Sequence, residues 1–149
     1  MNRFFVSGVL VLLLIISGLF AQEEAGSAQS GKLIVRVKGL RNNSGDVKIG
    51  LFNNRESFEG KSEKLKGAIL PIREGMAIWE IDSLPFGEYA IKLFHDEDGD
   101  DKLDRNFIGL PKEQYGFSNN AKGRFGPPKY EKAKFLFRQD EMVVEIDLK

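Results

Sequence analysis

Cysteine is absent from these 149 residues, and histidine and tryptophan occur once each, as His95 and Trp79. Without a thiol there is no disulfide, no thiolate metal site and no cysteine-linked lipid. One histidine falls short of the usual catalytic zinc site, which takes three protein ligands and often more than one imidazole. An excess of one charge is also missing, because 22 Lys and Arg balance 22 Asp and Glu. No basic patch with interleaved aromatics occurs, so no nucleic-acid partner is expected. There is no nucleophile-elbow pattern and no amphipathic helix of useful length. Stability must come from a hydrophobic core, to which 12 Phe contribute, and from any ion the chain binds.

The start of the chain reads as a leader. Asn2-Arg3 is a short positive opening, and Phe4–Phe20 is apolar apart from Ser7, Gly8, Ser17 and Gly18. Ala21 then precedes Gln22-Glu23-Glu24. This is the layout of a secretory signal peptide cleaved after Ala21. The alternative is an uncleaved membrane anchor, for which the apolar run is at the short limit. Cleavage would remove Arg3 and no acid, taking 22 basic residues to 21 against 22 acidic ones, a net charge near −1. The expected divisions are 1–21 for the signal, 22–31 for a flexible lead and 32–149 for a folded domain with no membrane span. Its expected location is periplasmic or secreted.

Period-two alternation runs through the rest. Leu33, Val35 and Val37 alternate in Lys32–Leu40, and Val47, Ile49 and Leu51 in Asp46–Asn53. Arg41–Gly45 between them is turn chemistry. Ala68–Ile72 and Met76–Ile81 form a further pair around Arg73-Glu74-Gly75, with Pro71 marking the first as an edge or bulged strand. Trp79 is expected in the core or as a lid over it. Asn54–Lys66 is undecided between loop and short helix. Tyr89–Phe94 follows a Pro-Phe-Gly-Glu-Tyr turn, and Ala133–Arg138 and Met142–Leu148 are short enough of connection to form a hairpin. Seven alternating strands predict an all-β, seven-stranded antiparallel sandwich of immunoglobulin-like or prealbumin-like kind, with one long ordered loop. Val35, Val47, Ile49, Ile91, Leu93, Phe135, Val144 and Ile146 are its expected core. A small closed barrel is the alternative.

The long loop, between His95 and Lys132, carries no evident strand, and its first part is acidic. Six of the nine residues from Asp96 to Asp104 are carboxylates. With Asp96 at position one of a calcium loop, Asp98 and Asp100 fall at three and five, the Lys102 carbonyl at seven and Asp104 at nine. Two features depart from the helix–loop–helix version. Gly99 stands at four while Asp101 occupies the glycine's place at six, and Phe107 stands where a bidentate Glu belongs. The pattern predicts calcium held by Asp96, Asp98, Asp100, Lys102 and Asp104 on a β scaffold, with further oxygens from Asn106, Glu113 or backbone. The alternative is a solvated acidic turn.

The second part sets glycine and proline between aromatics. Tyr115, Phe117 and Tyr130, with His95 at the strand end, are candidate ligand-binding residues for a cell-envelope carbohydrate or protein. Phe107 and Phe125 are expected instead to pin the loop over an open end of the sandwich. His95 itself reads first as a strand-end histidine bonded to its loop. A metal-dependent hydrolase using His95 and the aspartates is the enzymatic alternative to a non-catalytic module, and the sequence favours the latter because nothing completes a catalytic set.

The run from His95 to Asn120, the segment Phe125-Gly-Pro-Pro-Lys-Tyr-Glu-Lys-Ala133 and the preceding Gly87–Ile91 resemble the signature of an uncharacterised bacterial family, domain of unknown function 2141. The resemblance extends from about Lys32 to the end. In that family the acidic run often reads Asp-Glu-Asn-Gly-Asn, and here Asp98 and Asp100 replace the asparagines. It implies an exported domain and supplies no activity.

Overall fold

The computed structural model describes residues 29–148. The expected signal peptide lies outside the described residues, as do residues 22–28 of the expected lead. Eight strands and two four-residue helices follow in the order β1 (Ser30–Lys38), β2 (Asp46–Phe52), α1 (Arg55–Phe58), β3 (Lys66–Pro71), β4 (Ala77–Pro85), β5 (Gly87–Asp96), β6 (Tyr115–Phe117), α2 (Tyr130–Ala133), β7 (Phe135–Phe137) and β8 (Glu141–Asp147). No helix among the described residues is long and apolar enough to cross a membrane.

The strands form two sheets. One has the order β4-β1-β8 and the other β3-β2-β5-β6, with β7 also pairing β5. The period-two faces meet between them. Leu33, Val35 and Val37 of β1, with Val144 and Ile146 of β8 beside them, pack with Val47, Ile49 and Leu51 of β2 and Ile91 and Leu93 of β5 from the other sheet in one buried cluster. All eight residues expected in the core are buried. Trp79 is partly buried against that core, and β3 with its Pro71 is an edge strand. An edge suits a residue that cannot donate to the ladder.

Three details depart from the sequence reading. Among the described residues there are eight strands where seven were expected, because β6 is set inside the long loop. Its three residues are too few to show a period. The sheets are not wholly antiparallel, since β1 and β8 run parallel from Lys32↔Glu141 to Lys38↔Asp147. And β7 and β8 do not form a hairpin, for β7 pairs β5 while β8 pairs β1. Alternation shows which face of a strand is buried, not which neighbour it bonds.

The undecided stretch after β2 becomes α1, started by the Asn54 side chain, which accepts the Ser57 amide at 2.9 Å. This turn delivers Phe58 into a second, smaller cluster with Phe52, Ala90, Phe117, Tyr130 and Ala133. Phe58 meets Phe52 and Tyr130 edge-on, each at 5.7 Å between ring centres. The Lys92 ammonium lies 4.8 and 4.6 Å from the centres of Phe52 and Phe58, and burial lowers its pKa against the opposing charge of Glu59. The β5 strand therefore serves both cores, and its last residues lead into the acidic turn.

Candidate metal centre

At the end of β5, strand alternation sends His95 and Asp96 to opposite sides, yet both are fully buried. A buried carboxylate needs partners. Asp96 finds them in its own loop: its two oxygens accept the amides of Gly99 at 3.0 Å and Asp101 at 3.1 Å, and the Lys48 ammonium stands 3.4 Å away. Burial pushes its pKa up, but the two amides and Lys48 outweigh it and hold the carboxyl below its ordinary value. The chain comes so close here that Gly45 has no room for a side chain, since a Cβ would sit 1.8 Å from the Asp96 carbonyl oxygen, and its φ is +65°.

The turn then winds on side-chain oxygens. Asp98 accepts the Asp100 amide at 3.2 Å and Asp100 accepts the Lys102 amide at 2.8 Å. Glu113 closes the loop from its far end, accepting the amides of Glu97 at 2.8 Å and Asp104 at 3.0 Å. Glu97 is tied to Arg41 and Asn42 of the β1–β2 turn. Burial raises the Glu97 pKa, and these two partners more than offset it, so the group lies below its ordinary value. Gln114 bonds the same turn twice, through the Arg41 amide and the Gly39 carbonyl.

These restraints gather the acids. Carboxylate oxygens of Asp96, Asp98 and Glu113 lie within 4.8 Å of one another, and so do those of Asp98, Asp100 and Asp104. Asp98 belongs to both groups. The four expected acidic ligands thus divide between the two groups, Asp96 in one, Asp100 and Asp104 in the other and Asp98 in both, and the backbone of the fifth, Lys102, lies in the same turn. Glu113, weighed on sequence only as a later oxygen, is the residue that joins the two ends. Asp101 turns away and pairs with Lys48. Among the described residues, Asp98, Asp100 and Asp104 have no ion pair. A crowd of hard carboxylate oxygens with little positive charge can hold a metal ion of the oxygen-seeking class.

His95 is not part of either group. Its Nε2 donates to the Ser44 carbonyl at 2.7 Å, and its Nδ1 is buried 4.0 Å from Glu97 without a hydrogen-bond partner among the described residues. The aromatic candidates separate. Phe117 and Tyr130 are buried in the second cluster, while Tyr115 remains 44% exposed. Phe107 and Phe125, expected as pins, are 100% and 94% exposed. Their spacing gave no face to read, because neither lies in a strand or a helix.

What pins the second half of the loop is instead Ser118-Asn119-Asn120, which the sequence reading did not single out. Ser118 Oγ accepts the Ile91 amide at 2.9 Å and donates to the Ala133 carbonyl at 2.5 Å. Asn119 donates to the carbonyls of Lys132 and Lys134, and Asn120 accepts the Asp147 amide at 2.8 Å. Both asparagines have positive φ, 58° and 48°. Asn tolerates that region better than most residues, so an Asn pair after an aromatic was the available signal.

The molecule is therefore an all-β, two-sheet protein whose long connection is tied down around an acidic cluster capable of holding a metal ion. The chain belongs to the bacterial family described as an uncharacterized protein conserved in bacteria (DUF2141), whose family model matches residues 35–145. That span runs from β1 to β8 and includes the whole loop. No curated protein matches the chain. Among solved structures, a pilus-presented adhesin is similar over 80% of this chain and 27% of its own length, with 14% identity and a TM-score of 0.26. A likeness of that size carries no inference about either fold or activity.

Proposed function

We propose that this protein is an exported, non-catalytic binding or structural module whose acidic loop is locked by calcium. The observation that carries the reading is the position of Asp98, shared by two carboxylate groups each within 4.8 Å. Calcium takes six to eight oxygens, and carboxylates from closely spaced positions in a turning loop suit it. Backbone carbonyls such as that of Lys102 would complete the set. Export rests on the leader-like sequence alone. Of the two sandwich layouts expected, the pairing of β1 with β4 and β8 favours the prealbumin-like one, because the immunoglobulin layout keeps its first two strands in one sheet. The non-catalytic reading draws support from the sealed His95, which gives a substrate no access to the one imidazole.

The test is thermal melting of the chain in chelator, in calcium and in magnesium. Calcium at about a hundred times its dissociation constant should stabilise by roughly 2.7 kcal/mol. Asp98→Ala combined with Asp100→Ala should remove the response. Identical melting in all three solutions, with a flat calorimetric titration, would leave the acids as a solvated turn.

A further inference from the structure

We propose that the turn Asn106–Leu110 and the neighbouring tip at Phe125 form a wedge that docks on an anionic lipid surface. Phe107 and Phe125 are almost wholly in water, and Ile108 and Leu110 are 64% and 57% exposed. Both segments contribute to one feature, since Leu110, Tyr115 and Phe125 line the same open groove of 570 Å³. Large apolar side chains held out together mark an interaction site.

Most backbone groups of the turn are met within it. Asn106 accepts the amides of Ile108 at 3.1 Å and Leu110 at 3.0 Å through its side chain, and that of Gly109 at 2.9 Å through its carbonyl. The Asn106 amide donates to the Leu110 carbonyl at 2.8 Å, and Arg105 covers the Gly109 carbonyl at 3.0 Å. Backbone groups satisfied within the segment can leave water without the cost of an unmet polar group. Among the described residues the Phe107 amide and the carbonyls of Phe107 and Ile108 have no such partner, so the backbone penalty is confined to three groups at the tip, which must stay at the headgroup level.

Charge selects the occupant. Arg105, Lys112, Lys122, Arg124 and Lys129 surround these tips in sequence, and none makes an ion pair among the described residues. Arg124 lies against Phe125, 5.5 Å from the ring centre. From Arg105 to Lys132 there are six basic residues and two acidic ones, one of them the buried Glu113, and although six carboxylates precede Arg105 in Asp96–Asp104, the groove itself is lined by Lys92 and Arg105 and by no acid. Long cationic side chains beside an apolar tip keep their charge at the phosphate level while the tip enters the acyl boundary. Fully exposed tips also suit a fluid surface that can close around them, whereas a protein partner would have to supply a pocket for each ring.

This inference stands apart from the calcium reading, so its test is run in chelator and in calcium. The chain purified from its native host is sedimented with vesicles of phosphatidylcholine containing phosphatidylglycerol, and with phosphatidylcholine alone. It should bind the anionic vesicles, less so as salt shortens the screening length from about 10 Å at 0.1 M to about 3 Å at 1 M. Phe107→Ser with Phe125→Ser should lower that binding about tenfold or more with melting unchanged. A Phe107→Trp variant in a Trp79→Phe background should show a blue-shifted emission on the anionic vesicles. Failure to bind anionic vesicles in both solutions would overturn the proposal, as would equal binding by the double serine variant. Self-association that the double variant abolishes would assign the wedge to a second copy of the chain and overturn it equally.

Discussion

The long connection has two halves of different physical kind. Asp96–Gln114 is held by carboxylates that accept backbone amides, and its interior is made of like charges. Tyr115–Ala133 is held by rings packed on rings and by three neutral side chains that bond the backbone. The second half gains from every contact it makes. The first gains hydrogen bonds but concentrates negative charge, so a bound cation would add to its order. A single loop thus joins a part fixed by burial to a part that an ion can tighten.

The sharpest way to break this comparison is to damage the second half. Phe58→Ala removes the ring that touches Phe52, Phe117 and Tyr130. It should cost about 3–5 kcal/mol, the range for deleting a buried aromatic. Because the cluster contains no metal-binding group, the loss should be the same in chelator and in calcium. A loss confined to one of the two solutions would show that the halves are not independent.

A middle-sized effect separates the halves by pH. Burial raises the Tyr130 phenol to about 12, helped by the carboxylates of Glu88 and Glu131. Its ordinary value is about 10. A folded-state value above the unfolded one means that the protonated phenol's contribution is complete below about pH 10 and is lost as pH rises through about 12. Melting of the native chain should therefore fall more steeply over that window than melting of Tyr130→Phe. Phenolate absorbance of the folded chain should develop late for two tyrosines, since burial raises Tyr89 as well, and Tyr130→Phe should remove one of them. Tyr130 titrating with an ordinary phenol would show that the second cluster is open to water.

Much of the scaffold was legible beforehand. The faces of β1, β2, β5 and β8 follow from alternation, and their inward residues were identified by it. Pairing was less legible: β8 beside β1 in parallel, and β7 on β5, depend on contacts far apart in sequence. The acidic site was readable because its ligands share one short loop with a spacing that has a physical meaning. Glu113 was harder to place, since it reaches the cluster only when β6 brings the chain back along β5, where the His95 amide bonds the Gln114 carbonyl at 2.8 Å. The aromatics were the least legible. A loop has no period, so nothing in sequence distinguishes the buried Tyr130 from the exposed Phe125.

The smallest expected effect is also the most specific to the first half. Asp98→Asn keeps the oxygen that accepts the Asp100 amide, so the turn should form as before. It removes one negative charge from the point where the two carboxylate groups overlap. In chelator the variant should be slightly more stable than the native chain, by about 0.2–0.5 kcal/mol, because an exposed like-charge contact is relieved. In calcium the order should reverse, since an amide oxygen still coordinates but brings no charge, and the ion's stabilisation should shrink without vanishing. Differential melting of the two proteins in both solutions measures this crossing directly. A variant that is less stable in both would mean that Asp98 holds the turn in some way other than through charge. One that is unchanged in both would mean that the acids lie too far apart, and too well solvated, for either repulsion or an ion to matter.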